Sequence, residues 1–150
     1  MAHTYTNLLE HIVFSTKDRR PFLDAELKPR LFAYMGGIFR NEKCVAININ
    51  GPTDHVHILA LLSPTIAPAS LIGKVKANSS GWIRKTLPKY REFGWQTGYS
   101  AFGVSYSLKN AVYDYIAIQE EHPRKISFSE ELIALLKKHE IEYDERYIFE

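Results

Sequence analysis

The sequence predicts an α+β fold: a ferredoxin-like split β-α-β sandwich with an antiparallel sheet, two helices on one face, and a third helix and a C-terminal helix appended. Three observations carry that prediction. Predicted elements run strand, helix, strand, strand, helix, strand between residues 5 and 105. Asn50-Gly51-Pro52-Thr53 is a turn signal between two apolar, partly β-branched runs, which makes a hairpin of the middle strands. Leu27, Leu31, Tyr34, Met35 and Ile38 recur at helical spacing and should face a sheet.

Residues 5–16 read as the first strand, with Leu8, Ile12 and Phe14 on one face and His11 and Val13 on the other. A charged loop, Lys17 to Arg20, ends at Pro21. Asp24 is a good N-cap for a helix reaching about Arg40, although Pro29 lies deep for a start there, so a later start or a kink is expected. Gly36-Gly37 either weakens that helix or lets it approach another backbone. Hairpin strands come next, over about Cys44–Asn50 and His55–Leu62. Pro68 suits the first turn of a second helix, about Ala67–Lys85, which Asn78 to Gly81 should bend. The Trp-, Tyr-, Phe- and Gly-rich stretch Phe93–Ser105 reads as an irregular fourth strand. Ser107 is placed to cap a third helix from about Leu108 to Glu121, stopped by Pro123. A last amphipathic helix covers about Ser129–His139, and an acidic tail completes the chain.

At 150 residues the chain is most simply one domain with room for a proper core. It has no long apolar run for a membrane span, and its first 20 residues lack the apolar centre of a signal peptide. The single cysteine, Cys44, excludes an internal disulfide and a cysteine-rich zinc site and fits a reducing cytoplasm. Any metal must therefore sit on His, carboxylate or amide groups, which favours Mg²⁺ or Mn²⁺. The formal charge of +2 is unevenly spread. Residues 1–119 carry 14 Lys/Arg against 8 Asp/Glu, and residues 120–150 carry 5 against 9. Arg19, Arg20, Lys74, Lys76, Arg84 and Lys85 are candidate contacts to a phosphate backbone, though such charges also serve as plain solvated surface.

Two short motifs carry chemistry. In His55-Val56-His57 the imidazoles lie two apart on a strand, so both project from one face while Val56 points into the core. Such a pair makes two-thirds of a metal site, or merely two half-exposed strand histidines. Asp54 could orient one imidazole or cap the strand. Tyr115 and Gln119 are four apart on the third helix and so share a face. Alone, that pairing is common on helix surfaces.

Together, in this order, the motifs resemble the single-tyrosine HUH transposases of small bacterial insertion sequences of the two-hundred-like type. Their histidine–hydrophobe–histidine motif is matched by His55-Val56-His57, and their tyrosine-x-x-x-glutamine helix by Tyr115 to Gln119. His11-Ile12-Val13-Phe14-Ser15-Thr16 with the basic loop after it also fits, so the resemblance spans about residues 5–122 and leaves 123–150 as an extension. It implies a divalent metal on His55, His57 and Gln119, with Tyr115 as nucleophile. It further implies single-stranded DNA bearing hairpins as substrate, a covalent 5′-phosphotyrosine link with a free 3′-hydroxyl, and a homodimer in which the tyrosine can serve the partner's histidine pair. Rival readings are an idle DNA- or RNA-binding protein on the same fold, a relative acting on chromosomal palindromes, and a metal-dependent hydrolase of small substrates.

Overall fold

The structure is a computed structural model, and it describes residues 3–119 and 126–148. Four strands, β1 (Leu9–Ser15), β2 (Val45–Asn50), β3 (His55–Leu61) and β4 (Ser100–Gly103), form one antiparallel sheet in the order β2-β3-β1-β4. Four helices accompany it among the described residues: α1 (Leu27–Asn41), α2 (Pro68–Thr86), α3 (Lys109–Ala117) and α4 (Phe128–Lys138). With α1 between β1 and β2, and α2 between β3 and β4, this is the split β-α-β topology the element order predicts.

Strand alternation sorts the side chains onto two faces. Ile12 and Phe14 of β1 and Val56, Ile58 and Ala60 of β3 meet Leu27, Leu31, Met35 and Ile38 of α1 and Leu71, Ile72, Val75 and Ile83 of α2 in the main core. Ile58 is fully buried there, a contribution of about 1.5–3 kcal/mol from its apolar area. The opposite face carries α3 and α4. Leu9, Leu59 and Ile116 form one small cluster there, and Val13, Phe102, Phe128, Leu132 and Leu136 form another. All but the last of β3's seven residues are therefore buried.

Several expected boundaries move, each for a local reason. β1 is shorter than residues 5–16, because pairing with β3 begins only at the Leu9–Leu61 register. The α1 helix starts at Leu27, whose amide donates to the Asp24 carboxylate at 2.9 Å, so Pro29 falls in the first turn and no kink is needed. Gly36 and Gly37 approach no foreign backbone; a Cβ at either would meet only the Arg40 side chain. Helix α2 is continuous through Asn78 to Gly81, where Ser79 and Ser80 turn their hydroxyls back onto the carbonyls of Val75 and Lys76 instead of competing for the helix's amides. The expected fourth strand shrinks to Ser100–Gly103, and Trp95 makes only an isolated bridge to Thr16. Ser105, rather than Ser107, caps the single turn ahead of α3, and Ser127 caps α4. Helix α3 ends at Ala117, so Gln119 lies just past its end; Glu121 and Pro123 fall outside the described residues.

The hairpin and α3 are set in place by two local devices. Gly51 sits where a Cβ would be 2.2 Å from the His55 carbonyl oxygen, so the hairpin closes this tightly only with glycine. Asn48 and Asn50 of β2 clasp α3 from the side. The Asn48 amide donates to the Tyr113 carbonyl at 3.2 Å, and the Asn50 amide donates to those of Ile116 and Ala117 at 3.0 and 3.1 Å. A nine-residue helix is too short to persist alone, and its last carbonyls need partners. Replacing Asn50 by Ala should cost about 1–2 kcal/mol in urea unfolding and speed amide exchange through α3 above that of the sheet. Wild-type exchange rates in α3 would show that the clasp is not what holds it.

Candidate active site

The site is built on β3 and completed from three other elements. His55 and His57 point from β3 toward the α3/α4 face, and both are fully buried. From α4, Glu131 reaches them: its Oε1 lies 2.9 Å from His55 Nε2 and 3.0 Å from His57 Nε2. The Tyr115 hydroxyl of α3 donates to the other oxygen, Oε2. One carboxylate thus joins both imidazoles and the tyrosine.

The far nitrogens of the two rings are also held. His55 Nδ1 lies 2.7 Å from the Asp54 carboxylate, while the Asp54 carbonyl accepts from the Thr16 amide at 2.9 Å. Asp54 therefore both orients an imidazole and ties the strand end. His57 Nδ1 lies 2.9 Å from His11 Nε2 on β1, with the rings stacked at 5.1 Å. Burial, reinforced by neighbouring His57, pushes the His11 imidazole down to about 3, so it is neutral near pH 7. With each Nδ1 engaged, each Nε2 faces the common point where Glu131 sits. Burial alone would raise the Glu131 carboxyl, but hydrogen bonds from His55 and His57, the electrostatic pull of His57 and the Tyr115 hydroxyl outweigh it and hold the group well below the usual carboxylate range.

These residues fit a divalent cation. Ligand atoms of His55, His57 and Glu131 all lie within 4.8 Å of one another, and a carboxylate partner such as Asp54 on the far ring nitrogen is what metal-binding imidazoles carry. Gln119, the expected third ligand, is buried just past the end of α3, its amide nitrogen donating to the Tyr115 carbonyl at 3.2 Å.

The six candidate phosphate contacts do not gather at this site. Lys74, Lys76, Arg84 and Lys85 lie on α2, across the sheet from the histidines. The Lys76 ammonium is turned inward, donating to the carbonyls of Gln96 and Gly98 at 2.9 and 2.5 Å, and burial lowers it to about 8. Arg84 donates to the Phe93 carbonyl, Lys74 pairs with Glu42, and Arg20 pairs with Glu92. Arg19 reaches α4, donating to the Ser129 hydroxyl at 2.7 Å.

Sequence reasoning misses Glu131 and the role of His11. A signal for Glu131 exists: Phe128, Glu131, Leu132, Leu135 and Leu136 are spaced as one helical stripe, so this carboxylate occupies an apolar-face position. For His11, strand alternation yields the correct face, opposite Ile12 and Phe14, but only the β1–β3 register brings it beside His57.

Changing His11 to Ala should weaken Mn²⁺ binding by about 10–100-fold, read by titration with electron paramagnetic resonance, through loss of ring orientation. Unchanged affinity would remove His11 from the site. For Lys76, the folded state holds the proton less tightly than the unfolded chain does, so unfolding takes one up between about pH 8 and 10.5. Stability should therefore rise with pH across that window by more in wild type than in Lys76→Met, measured by urea midpoints at several pH values.

Comparison with known proteins places the chain. Among curated proteins none matches it. A solved structure of a candidate transposase from Deinococcus radiodurans superposes with a TM-score of 0.66 at 19% identity, covering 80% of this chain and 96% of that one. A REP-associated tyrosine transposase, solved bound to a REP hairpin, gives 0.58 at 14% identity, with 79% and 70% covered. At these identities the likeness establishes a shared fold. The family described as "Transposase IS200 like" matches residues 4–119, most of the chain and all of the sheet, both histidines, Tyr115 and Gln119, and the protein belongs to that family.

Proposed function

We propose that this protein cuts and rejoins single-stranded DNA at hairpin-bearing ends, with Tyr115 as nucleophile and a divalent cation, Mg²⁺ or Mn²⁺, held by His55, His57 and Glu131, with Gln119 as a further oxygen donor. The observation that carries the reading is the meeting of the Tyr115 hydroxyl and both histidine Nε2 atoms on one carboxylate. A nucleophile and a set of metal ligands are thereby within one phosphate's reach of each other. The hairpin bound by the REP-associated neighbour supports the choice of DNA.

The cation, when bound, supplies Lewis-acid polarisation of the scissile phosphate and offsets its developing charge. The remaining steps fall to this chain. A phenol with a pKa of about 10 is a poor nucleophile near neutrality, so its proton needs a directed exit. Tyr115 already points its proton at Glu131 Oε2. The phenolate oxygen bonds to phosphorus as the P–O3′ bond breaks, and the departing O3′ takes a proton to become a hydroxyl. The phosphotyrosine conserves the bond energy, so attack by another 3′-hydroxyl rejoins the strand and frees Tyr115 without ATP. The Asn48 and Asn50 clasp holds α3 on its own sheet, which presents Tyr115 to the histidines of the same chain. Two strand ends must be cut for exchange, so a homodimer supplies the second tyrosine. Two imidazoles in the donor set favour Mn²⁺ over Mg²⁺.

The test mixes protein, Mn²⁺ or Mg²⁺ and labelled single strands carrying hairpins from the DNA flanking the gene, and resolves the products on a denaturing gel. A covalent protein–DNA band that requires metal and disappears in Tyr115→Phe is expected. Metal-independent binding without a band would instead indicate an idle nucleic-acid-binding protein, and a band surviving in Tyr115→Phe would transfer the role to Tyr113.

A further inference from the structure

Between α3 and α4, beside the candidate active site, lies an open cleft of about 420 Å³. Its walls are aliphatic, from Val104, Leu108, Val112 and Leu135, and its inner end is formed by Tyr115 and Glu131. Leu108 and Ile126, among its lining residues, remain 54% and 45% exposed. At the other end stand Lys138 and His139. The His139 ring is fixed, with Nδ1 donating to the Leu135 carbonyl at 2.9 Å and one face stacked on Phe102 at 4.4 Å.

We propose that this cleft is a nucleotide subsite, which receives the unpaired base of one of the two DNA residues flanking the scissile phosphate. The inference rests on the DNA-cutting reading and deepens it. Four features select this occupant over another apolar group. The cleft is lined by Tyr115 and Glu131, the residues that the DNA-cutting reading places at the scissile phosphate, so a residue flanking that phosphate is within reach of it. Its volume falls in the range of small-ligand sites. An oriented imidazole and aliphatic walls offer a base a stacking surface without reading its edges. Lys138 at the rim carries the charge that the next phosphate along the strand requires. The far wall is α4, which lies outside the family match at residues 4–119.

A cycle of DNA and protein changes tests it. The cleavage position is first mapped with wild type on the flanking hairpin strands. Strands are then made with an abasic residue on the 5′ or the 3′ side of that position, and affinity is measured on Tyr115→Phe, with and without Ala134→Trp, whose indole would fill the cleft. The expected result is about tenfold weaker binding for one of the two abasic strands, and no such penalty once Ala134→Trp is present. Ala111→Trp fills the same space from α3 and should behave alike if the α4 variant fails to fold; Mn²⁺ affinity and thermal melting monitor the site and fold. Equal affinity for all strands overturns the proposal, as does an abasic penalty that survives in both filled variants. If wild type yields no tyrosine-linked product on any strand, the DNA-cutting reading falls and the subsite with it; a normal product with an additive cycle removes the subsite alone.

Discussion

The site depends on β3 being buried from both sides while carrying two imidazoles on one of them. Strands covered on both faces are usually continuous apolar runs. Here Val56, Ile58 and Ala60 satisfy the core under α1 and α2, and His55 and His57 face α3 and α4 instead. Burying an imidazole is tolerable only if its nitrogens find partners. All four nitrogens do so, in Asp54, His11 and the shared Glu131. Those partners also aim both Nε2 atoms at a single point, so the demand for satisfied polar groups and the requirements of metal binding lead to the same geometry.

Glu131 makes α4 part of that arrangement rather than a mere cover. The helix docks through Phe128, Leu132 and Leu136 on Val13 and Phe102, and the same stripe delivers the carboxylate to the histidines and Tyr115. From the other side, Asn48 and Asn50 fix the end of α3 against β2. The tyrosine is thus restrained by a backbone clasp behind it and a carboxylate in front. A flexible placement of either helix would leave Tyr115 and Glu131 loosely held, whereas the proposed chemistry depends on their orientation.

The cationic residues show how far charge in a sequence differs from charge on a surface. Lys74, Lys76, Arg84 and Lys85 are close in sequence because they share α2, but two of them serve the fold: Lys76 and Arg84 satisfy carbonyls of the irregular stretch between α2 and β4. That stretch has few ladder bonds of its own, since the β4 pairing covers only four residues. Side-chain donors from α2 take the place of the missing strand partners.

Periodicity made the element order and the two helices of the main core legible, because period-2 and period-3.6 patterns are local properties of the chain. The His55-Val56-His57 face was legible for the same reason. So was the family, since its motifs are short and contiguous. What lay beyond the sequence were contacts that join distant segments and choices among equivalent local groups. Whether Ser105 or Ser107 caps the turn before α3 depends on a hydrogen bond that either hydroxyl could make; which residue completes the site depends on how α4 docks. Glu131 is 74 residues from His57, and His11 is 46 away, so only the packed fold brings the three together. The sequence by itself determined the strand that carries the histidines and the helix that carries the tyrosine. Tertiary structure decided that an acidic residue of the C-terminal extension joins them, because burial of an apolar helix stripe, rather than any local motif, sets where that carboxylate lies.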